Sequence, residues 1–200
     1  MDATPSRLAW LLLPPMLLSL GACASLDAAS GMQPRASCAA TAGTLESPAG
    51  QEWLREQGWR FADRERAAAE YERLVEQSPP WPDWLEPRPA TLPPGTRFQM
   101  AIGGAQTPEQ PGAFGTFDNI DALEDVREGL AVKQEWKPRV DRVVIYEVTQ
   151  PLPVNLGPVG PQVDPATCRL LAGRWSQLQM LVPAPERIKY LKVVTVRPLR

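Results

Sequence analysis

Residues 51–77 read QEWLREQGWRFADRERAAAEYERLVEQ. Leu54, Phe61, Ala68 and Val75 recur every seven residues, with Tyr71 and Leu74 on the neighbouring stripe. Arg55, Glu56, Arg60, Asp63, Arg64, Glu65, Arg66, Glu70, Glu72, Arg73 and Glu76 fill the remaining positions. This spacing predicts one long amphipathic helix, with Gly58 as the point where it can bend. At this length it packs on its own domain in preference to forming a dimeric coiled coil.

The chain downstream changes period. Residues 78–95 hold seven prolines together with Trp81 and Trp84, a composition that forbids regular helix and favours an extended strap. The strap is expected to wrap the domain and bury its rings, the alternative being a recognition surface for a partner. From residue 96 onward, short strands and turns are predicted. Candidate strands are 96–102, 142–149 with Val144, Tyr146 and Val148 on one face, 152–156, 174–182 and 188–196. A short helix is expected over 119–130, opened by Asp118 or Asn119 as cap. One helix followed by mainly antiparallel strands makes the fold class α+β, as a single domain over 51–200.

Upstream, residues 1–7 are short and polar with Arg7, residues 8–20 are apolar apart from Ser19, and Gly21-Ala22-Cys23 ends the run. That order is the order of a secretory signal, too short and too proline-broken at Pro14-Pro15 to span a membrane. Leu20-Gly21-Ala22-Cys23 resembles the lipobox of bacterial lipoproteins. The resemblance implies cleavage after residue 22, a diacylglycerol on the Cys23 thiol and acylation of the new amino terminus. Several acyl chains at ~0.8 kcal/mol per buried methylene make such an anchor effectively permanent. Ala24, where the family uses Asp for inner-membrane retention, points to the outer membrane, with the domain facing the periplasm. Residues 23–50, rich in Ala, Ser, Thr and Gly, read as the lipidated cysteine and its tether.

With Cys23 modified, Cys38 and Cys168 remain of the three cysteines. An oxidising envelope favours pairing them, two separate buried thiols being the other reading. A bridge would close a loop of about 130 residues and contribute on the order of 4–5 kcal/mol in the chain-entropy picture.

Composition limits the chemistry. The 21 Lys and Arg against 23 Asp and Glu offer no electrostatic case for nucleic acid. The chain has no histidine, which removes Ser-His-Asp and Cys-His nucleophiles and, with two remaining cysteines, argues against a zinc site. Gly103-Gly104 is not followed by a Walker pattern. Asp121, Glu124, Asp125 and Glu128 read as a solvated helix face.

One constellation stands out. Leu92-Pro93-Pro94-Gly95-Thr96-Arg97-Phe98 leads into a strand, and Gly112-Ala113-Phe114-Gly115-Thr116-Phe117 follows one loop later. Tyr146-Glu147-Val148-Thr149-Gln150-Pro151 then runs toward Gly157-Pro158-Val159-Gly160-Pro161-Gln162, and Gly173-Arg174-Trp175-Ser176-Gln177-Leu178-Gln179 closes the order. Over about the last 110 residues this is similar to NAD glycohydrolases of the tuberculosis necrotizing toxin type, and more distantly to ADP-ribosyltransferases. The resemblance implies an NAD cleft between two small sheets, with Arg97 holding phosphate. It places Thr116 and Phe117 at the nicotinamide and Gln177 or Gln179 at the glycosidic bond. Two departures weigh against turnover. The toxins' Gly-Gly-Gly-x-Gln run is replaced by Gly173-Arg174-Trp175-Ser176-Gln177, and the transferases' Glu-x-Glu is Gln177-Leu178-Gln179. Glutamine supplies no negative charge to an oxocarbenium ion.

The expectation is therefore a lipid-anchored envelope protein whose domain binds a protein partner without catalysis and needs no cofactor. A degenerate NAD-binding or NAD-cleaving domain is the alternative, and a periplasmic immunity lipoprotein the second.

Overall fold

The computed structural model describes residues 41–199, so Cys23, Cys38 and the signal segment lie outside the described residues. Ser47 caps the helix that follows it: its hydroxyl accepts from the Gly50 N–H at 2.9 Å while Pro48 takes the first helical position. Helix α1 runs Pro48–Gln57, a 3-10 turn occupies Gly58–Arg60, and helix α2 spans Arg64–Gln77. The amphipathic stretch is thus divided close to Gly58, and Asp63 restarts it by accepting from the Arg66 N–H at 2.8 Å. Ser78 closes α2 in the left-handed region, and Pro79-Pro80 prevents continuation.

The seven-residue stripe lies at the edge of the buried face. Leu54, Phe61, Ala68 and Val75 are partly buried, whereas Trp53, Ala67, Tyr71 and Leu74 are fully buried. Trp53 touches Phe61 and Tyr71, each at 5.5 Å between ring centroids. Ala42, Leu45 and Ala49 join this cluster, so packed structure begins before residue 51.

Among the described residues, nine strands form three antiparallel sheets. The first has the order β1 (Arg88–Leu92), β5 (Leu152–Pro158), β8 (Ser176–Met180), β3 (Phe114–Gly115). The second has the order β2 (Arg97–Ile102), β4 (Arg142–Val148), β9 (Leu191–Pro198). The hairpin of β6 (Gln162–Asp164) and β7 (Arg169–Leu171) packs Val163 and Leu170 onto the helical cluster. With helices and mainly antiparallel sheets among the described residues, the chain is α+β.

Period-two alternation builds the main core. Phe98, Met100 and Ile102 of β2 and Val144, Tyr146 and Val148 of β4 meet Leu152, Val154, Leu178 and Met180 of the four-stranded sheet. The other face of the three-stranded sheet is covered too, because Ala101 and Val143 pack under Ile120 and Val126. Part of the strap becomes β1, an edge strand in which Pro89 is tolerated. The expected helix over 119–130 contracts to a single wide turn, Asp125–Gly129. Among the described residues no helix is long and apolar enough to cross a membrane.

The Tyr146 hydroxyl donates to the Pro108 carbonyl at 2.7 Å. Burial, with the Glu109 charge behind it, pushes this phenol from 10.0 to about 12. The fold therefore favours the neutral phenol, and that stability is complete below pH 10.0 and is lost as the pH rises through about 12. Thermal unfolding followed across this window should show a falling midpoint. Tyr146→Phe should make the fall shallower, and Tyr71, also raised by burial, contributes in the same direction.

Candidate functional site

The two sheets touch at the Gln99–Thr116 bridge, where paired backbone hydrogen bonds of 2.8 and 2.9 Å tie β2 to the residue after β3. Beside it they splay, leaving a cleft of about 240 Å³ between Gln99, Met100 and Ala101 on one side and Gly112, Phe114 and Gln177 on the other. Val126, Leu130, Val132, Trp136 and Lys137 roof it. A second chamber of about 290 Å³ shares Phe114, Leu130, Val132, Trp136 and Gln177 and continues to Ala131, Val159 and Gln162.

The roof is built by one cation. Arg127 reaches from the wide turn and donates to the carbonyls of Val132 at 2.8 Å, Lys133 at 3.0 Å and Lys137 at 2.8 Å. These bonds hold the loop that presents Trp136, and buried Ala131 at its base is forced to φ 49°. Lys133 donates to Ser78 Oγ at 2.7 Å and sits 4.7 Å from the Trp136 ring. Lys137 donates to the Ala101 carbonyl at 2.8 Å and Gln106 Oε1 at 3.0 Å; burial, with Arg127 nearby, lowers its pKa.

The residues that the NAD resemblance implies only partly converge. Gln177 lines both chambers, with its Nε2 donating to the Pro80 carbonyl at 2.9 Å. Gln179 lies opposite Phe114 in register and accepts from Asn155 at 3.4 Å, outside the chamber linings. Thr116 is buried beside the cleft, its hydroxyl engaged with Asp118 and Ser176. Phe117 is exposed, its N–H donating to Ser176 Oγ at 3.0 Å. Arg97 is on the exposed side of β2, paired with Glu147 at 2.7 Å, and does not line the cleft. The aromatic pair at the mouth is Phe114 and Trp136, 38% and 50% exposed. Phe114 stands inside the quoted constellation. Trp136 and Lys137 lie in an irregular stretch with no period to single them out.

Asp118 braces the strand that carries Gln177. Its carboxylate accepts from the Ser176 N–H and hydroxyl, both at 2.6 Å, and from Thr116 at 3.2 Å. Burial works to raise its pKa, but the bonds from Ser176 and Thr116 win and hold it below the ordinary carboxylate range. A depressed folded value gives stability that is present above the unfolded pKa and is lost as the pH falls through the folded one. Unfolding midpoints measured from neutral to acid pH should therefore drop, and the drop should be shallower in Asp118→Asn.

Elsewhere, Cys168 is disulfide-bonded, and its expected partner Cys38 lies outside the described residues. Of the acidic residues near the wide turn, Asp125 accepts from the N–H groups of Asp121 and Ala122, and Glu128 pairs with Arg169. Among the described residues no group of three or more metal-ligating side chains is found. The strap divides its rings: Trp81 covers Gly157 and Gly160, whereas Trp84 is 51% exposed. Arg60 lies 4.1 Å from the Trp84 ring and pairs with Asp83, and its neighbour Trp59 is 82% exposed.

No family model matches the sequence, and no curated protein matches it. Solved structures do. A chain from the structure of Tne2 in complex with Tni2 superposes with a TM-score of 0.50 at 21% identity, covering 60% of this chain and 97% of that one. A chain from Rhs1-CT in complex with the cognate immunity protein RhsI1 gives 0.42 at 15% identity, covering 56% and 79%. A chain from Tse6 in complex with Tsi6 gives 0.39 at 15%, covering 72% and 93%. The first likeness shows a shared fold.

Proposed function

We propose that this chain is a lipid-anchored protein of the bacterial envelope, in the outer membrane and facing the periplasm, whose domain binds another protein and does not catalyse a reaction. The observation that carries the reading is the surface formed by Trp59, Arg60 and Trp84. Two tryptophans, one 82% and one 51% exposed, flank an arginine held against an aromatic ring. Trp and Arg are the residue types that dominate protein-binding energy. The cleft supports the non-catalytic half of the reading. Lys137 is the one ionisable side chain among its described lining residues, so no carboxylate faces a developing cation there. A fold shared with a chain of the Tne2–Tni2 complex agrees with a protein partner.

A photo-crosslinking residue at position 59 or 84, used in intact membranes, tests this. The expected result is one discrete adduct, abolished in the Trp59→Ala, Trp84→Ala double variant; lipoprotein recovered alone at both positions refutes the reading. The anchor is tested separately. Cys23→Ser should move the chain from the membrane to the soluble fraction, and persistence in the pellet would exclude lipidation as the tether. The Cys38–Cys168 pairing proposed from the sequence belongs to the same oxidising compartment.

The second reading, a degenerate NAD site, rests on Gln177 and Phe114 lining one cleft between two sheets. The shared fold supports this link to NAD glycohydrolase toxins at the level of fold. It lacks the phosphate arm, because Arg97 is committed to Glu147 outside the cleft lining. Immunity against a periplasmic toxin is one form that the protein-binding reading takes.

A further inference from the structure

Trp84 stands in a turn of the strap that the Leu85 N–H closes on the Pro82 carbonyl at 3.2 Å. Arg60 lies 4.1 Å from the centre of its ring and is itself held by Asp83, so the ring is fixed before a partner arrives. Beside it is a cleft of about 100 Å³ between Pro82 and Trp84 of the strap and Pro158 and Pro161 where β5 ends, with Gln57 and Arg174 completing the lining. Three of these six residues are prolines, so the walls are apolar and stiff.

The polar side chains of this cleft only donate. Gln57 Oε1 accepts from Arg60 at 3.2 Å, which leaves the amide nitrogen to serve the cleft. Trp59 directs its indole N–H to the Glu56 carbonyl at 2.9 Å, whereas that of Trp84 meets no acceptor among the described residues. Arg174 gives one nitrogen to Glu56 at 2.6 Å and stays 66% exposed, with further N–H groups beside it. Charge is balanced at the same time, since Glu56 answers Arg174 and Asp83 answers Arg60. A matching occupant is neutral, apolar, rich in acceptors and without N–H groups of its own.

Proline meets all four conditions, with a carbonyl, an apolar ring and no N–H. A polyproline II segment leaves its carbonyls without internal partners, and its stiffness means that little freedom is lost on docking. Packing of this kind is already present within the chain. Gly157-Pro158 passes Trp81 so closely that a Cβ at Gly157 would stand 3.1 Å from the indole, and the Gly160 N–H donates to the Pro80 carbonyl at 3.0 Å.

We infer that the cleft beside Trp84 binds a proline-rich segment of the partner protein in the polyproline II conformation. A proline ring packs against Trp84, and the segment's carbonyls accept from Trp84 Nε1 and Gln57 Nε2. The assignment rests on the protein-binding reading of this same surface and adds the chemistry of the partner to it.

Fluorescein-labelled decaproline and an equally labelled Gly-Ser decapeptide, each titrated with the full chain and followed by fluorescence anisotropy, test the assignment. The two peptides match in length and carbonyls, and only decaproline has the rings and lacks the N–H groups. Decaproline is expected to saturate and to bind about tenfold more tightly than the Gly-Ser peptide. Trp84→Phe keeps a ring, removes the N–H and should weaken decaproline about fivefold, the worth of one hydrogen bond. Equal affinities, absent saturation, or an unchanged decaproline affinity in folded Trp84→Phe would each overturn the assignment. The comparison of peptides on the unaltered chain decides the matter even where the variant fails to fold. In intact membranes, excess decaproline should suppress the crosslinked adduct at position 59. An adduct that persists there removes the proline-rich segment and leaves the protein-binding reading standing, whereas no adduct at either position removes both. A chain that dimerises through Trp84 and ignores decaproline would give the cleft to a second copy instead.

Discussion

Trp53→Ala is expected to lower stability by about 3–5 kcal/mol, the range for emptying a buried tryptophan site. Trp53 is 2% exposed and joins three pieces of chain that have little else in common. It meets Phe61 from the turn between the helices and Tyr71 from α2 across ring-to-ring distances of 5.5 Å. Tyr71 in turn donates to the Ala42 carbonyl at 2.8 Å and lies 3.3 Å from the Ser47 hydroxyl, tying the residues ahead of α1 into the same cluster. Removal of the indole leaves these partners around a void that helices anchored at both ends cannot close. For a domain of this size, thermal denaturation should show the midpoint falling by about 10 °C or more. A loss below about 1 kcal/mol would mean that the helical pair does not depend on this cluster.

Gly173→Ala is the second large effect, with an expected cost of about 2–3 kcal/mol. Gly173 has φ +69°, and an added Cβ would come within 2.7 Å of the Val159 carbonyl oxygen and 2.8 Å of that of Gly160. Both obstacles are backbone atoms. The Gly173 N–H also donates to the Glu128 carbonyl at 2.8 Å, and the Arg174 N–H donates to Val159 at 3.0 Å. The substitution therefore pushes the wide turn, the back wall of the second chamber and the start of β8 apart together. Urea titration should report the lost stability. Gly95→Ala is the control, since Gly95 also has positive φ but nothing lies within 4 Å of its added Cβ.

The regular elements were readable where one period dominated. Val144, Tyr146 and Val148 alternate along β4 and reach the core as their spacing predicts. The helical stretch was readable as amphipathic, but its buried face is centred one residue earlier than the seven-residue stripe, on Trp53, Ala67 and Leu74, on both sides of the 3-10 turn at Gly58–Arg60. β1 was hidden by Pro89 and by the prolines on either side of it, which argue against a strand in the sequence but fit an edge position in the sheet. Of the candidate site, Gln177 was found through the motif that surrounds it. Arg97 was placed by motif alone, and its position on the exposed face beside Glu147 is a matter of strand register that the motif does not carry. Trp136, Lys137 and Gln162 gain their meaning from the Arg127 staple and the strap carbonyls. Each contact runs from a regular element to an irregular segment, the loop at Lys137 or the strap at Pro79, which leaves no periodic signal in the chain.

Incubation of the full-length Cys23→Ser chain with NAD, with free nicotinamide followed by chromatography, tests most directly whether the domain works by binding alone. No nicotinamide above the protein-free blank is expected at any time. Steady release that disappears in Gln177→Ala would contradict it.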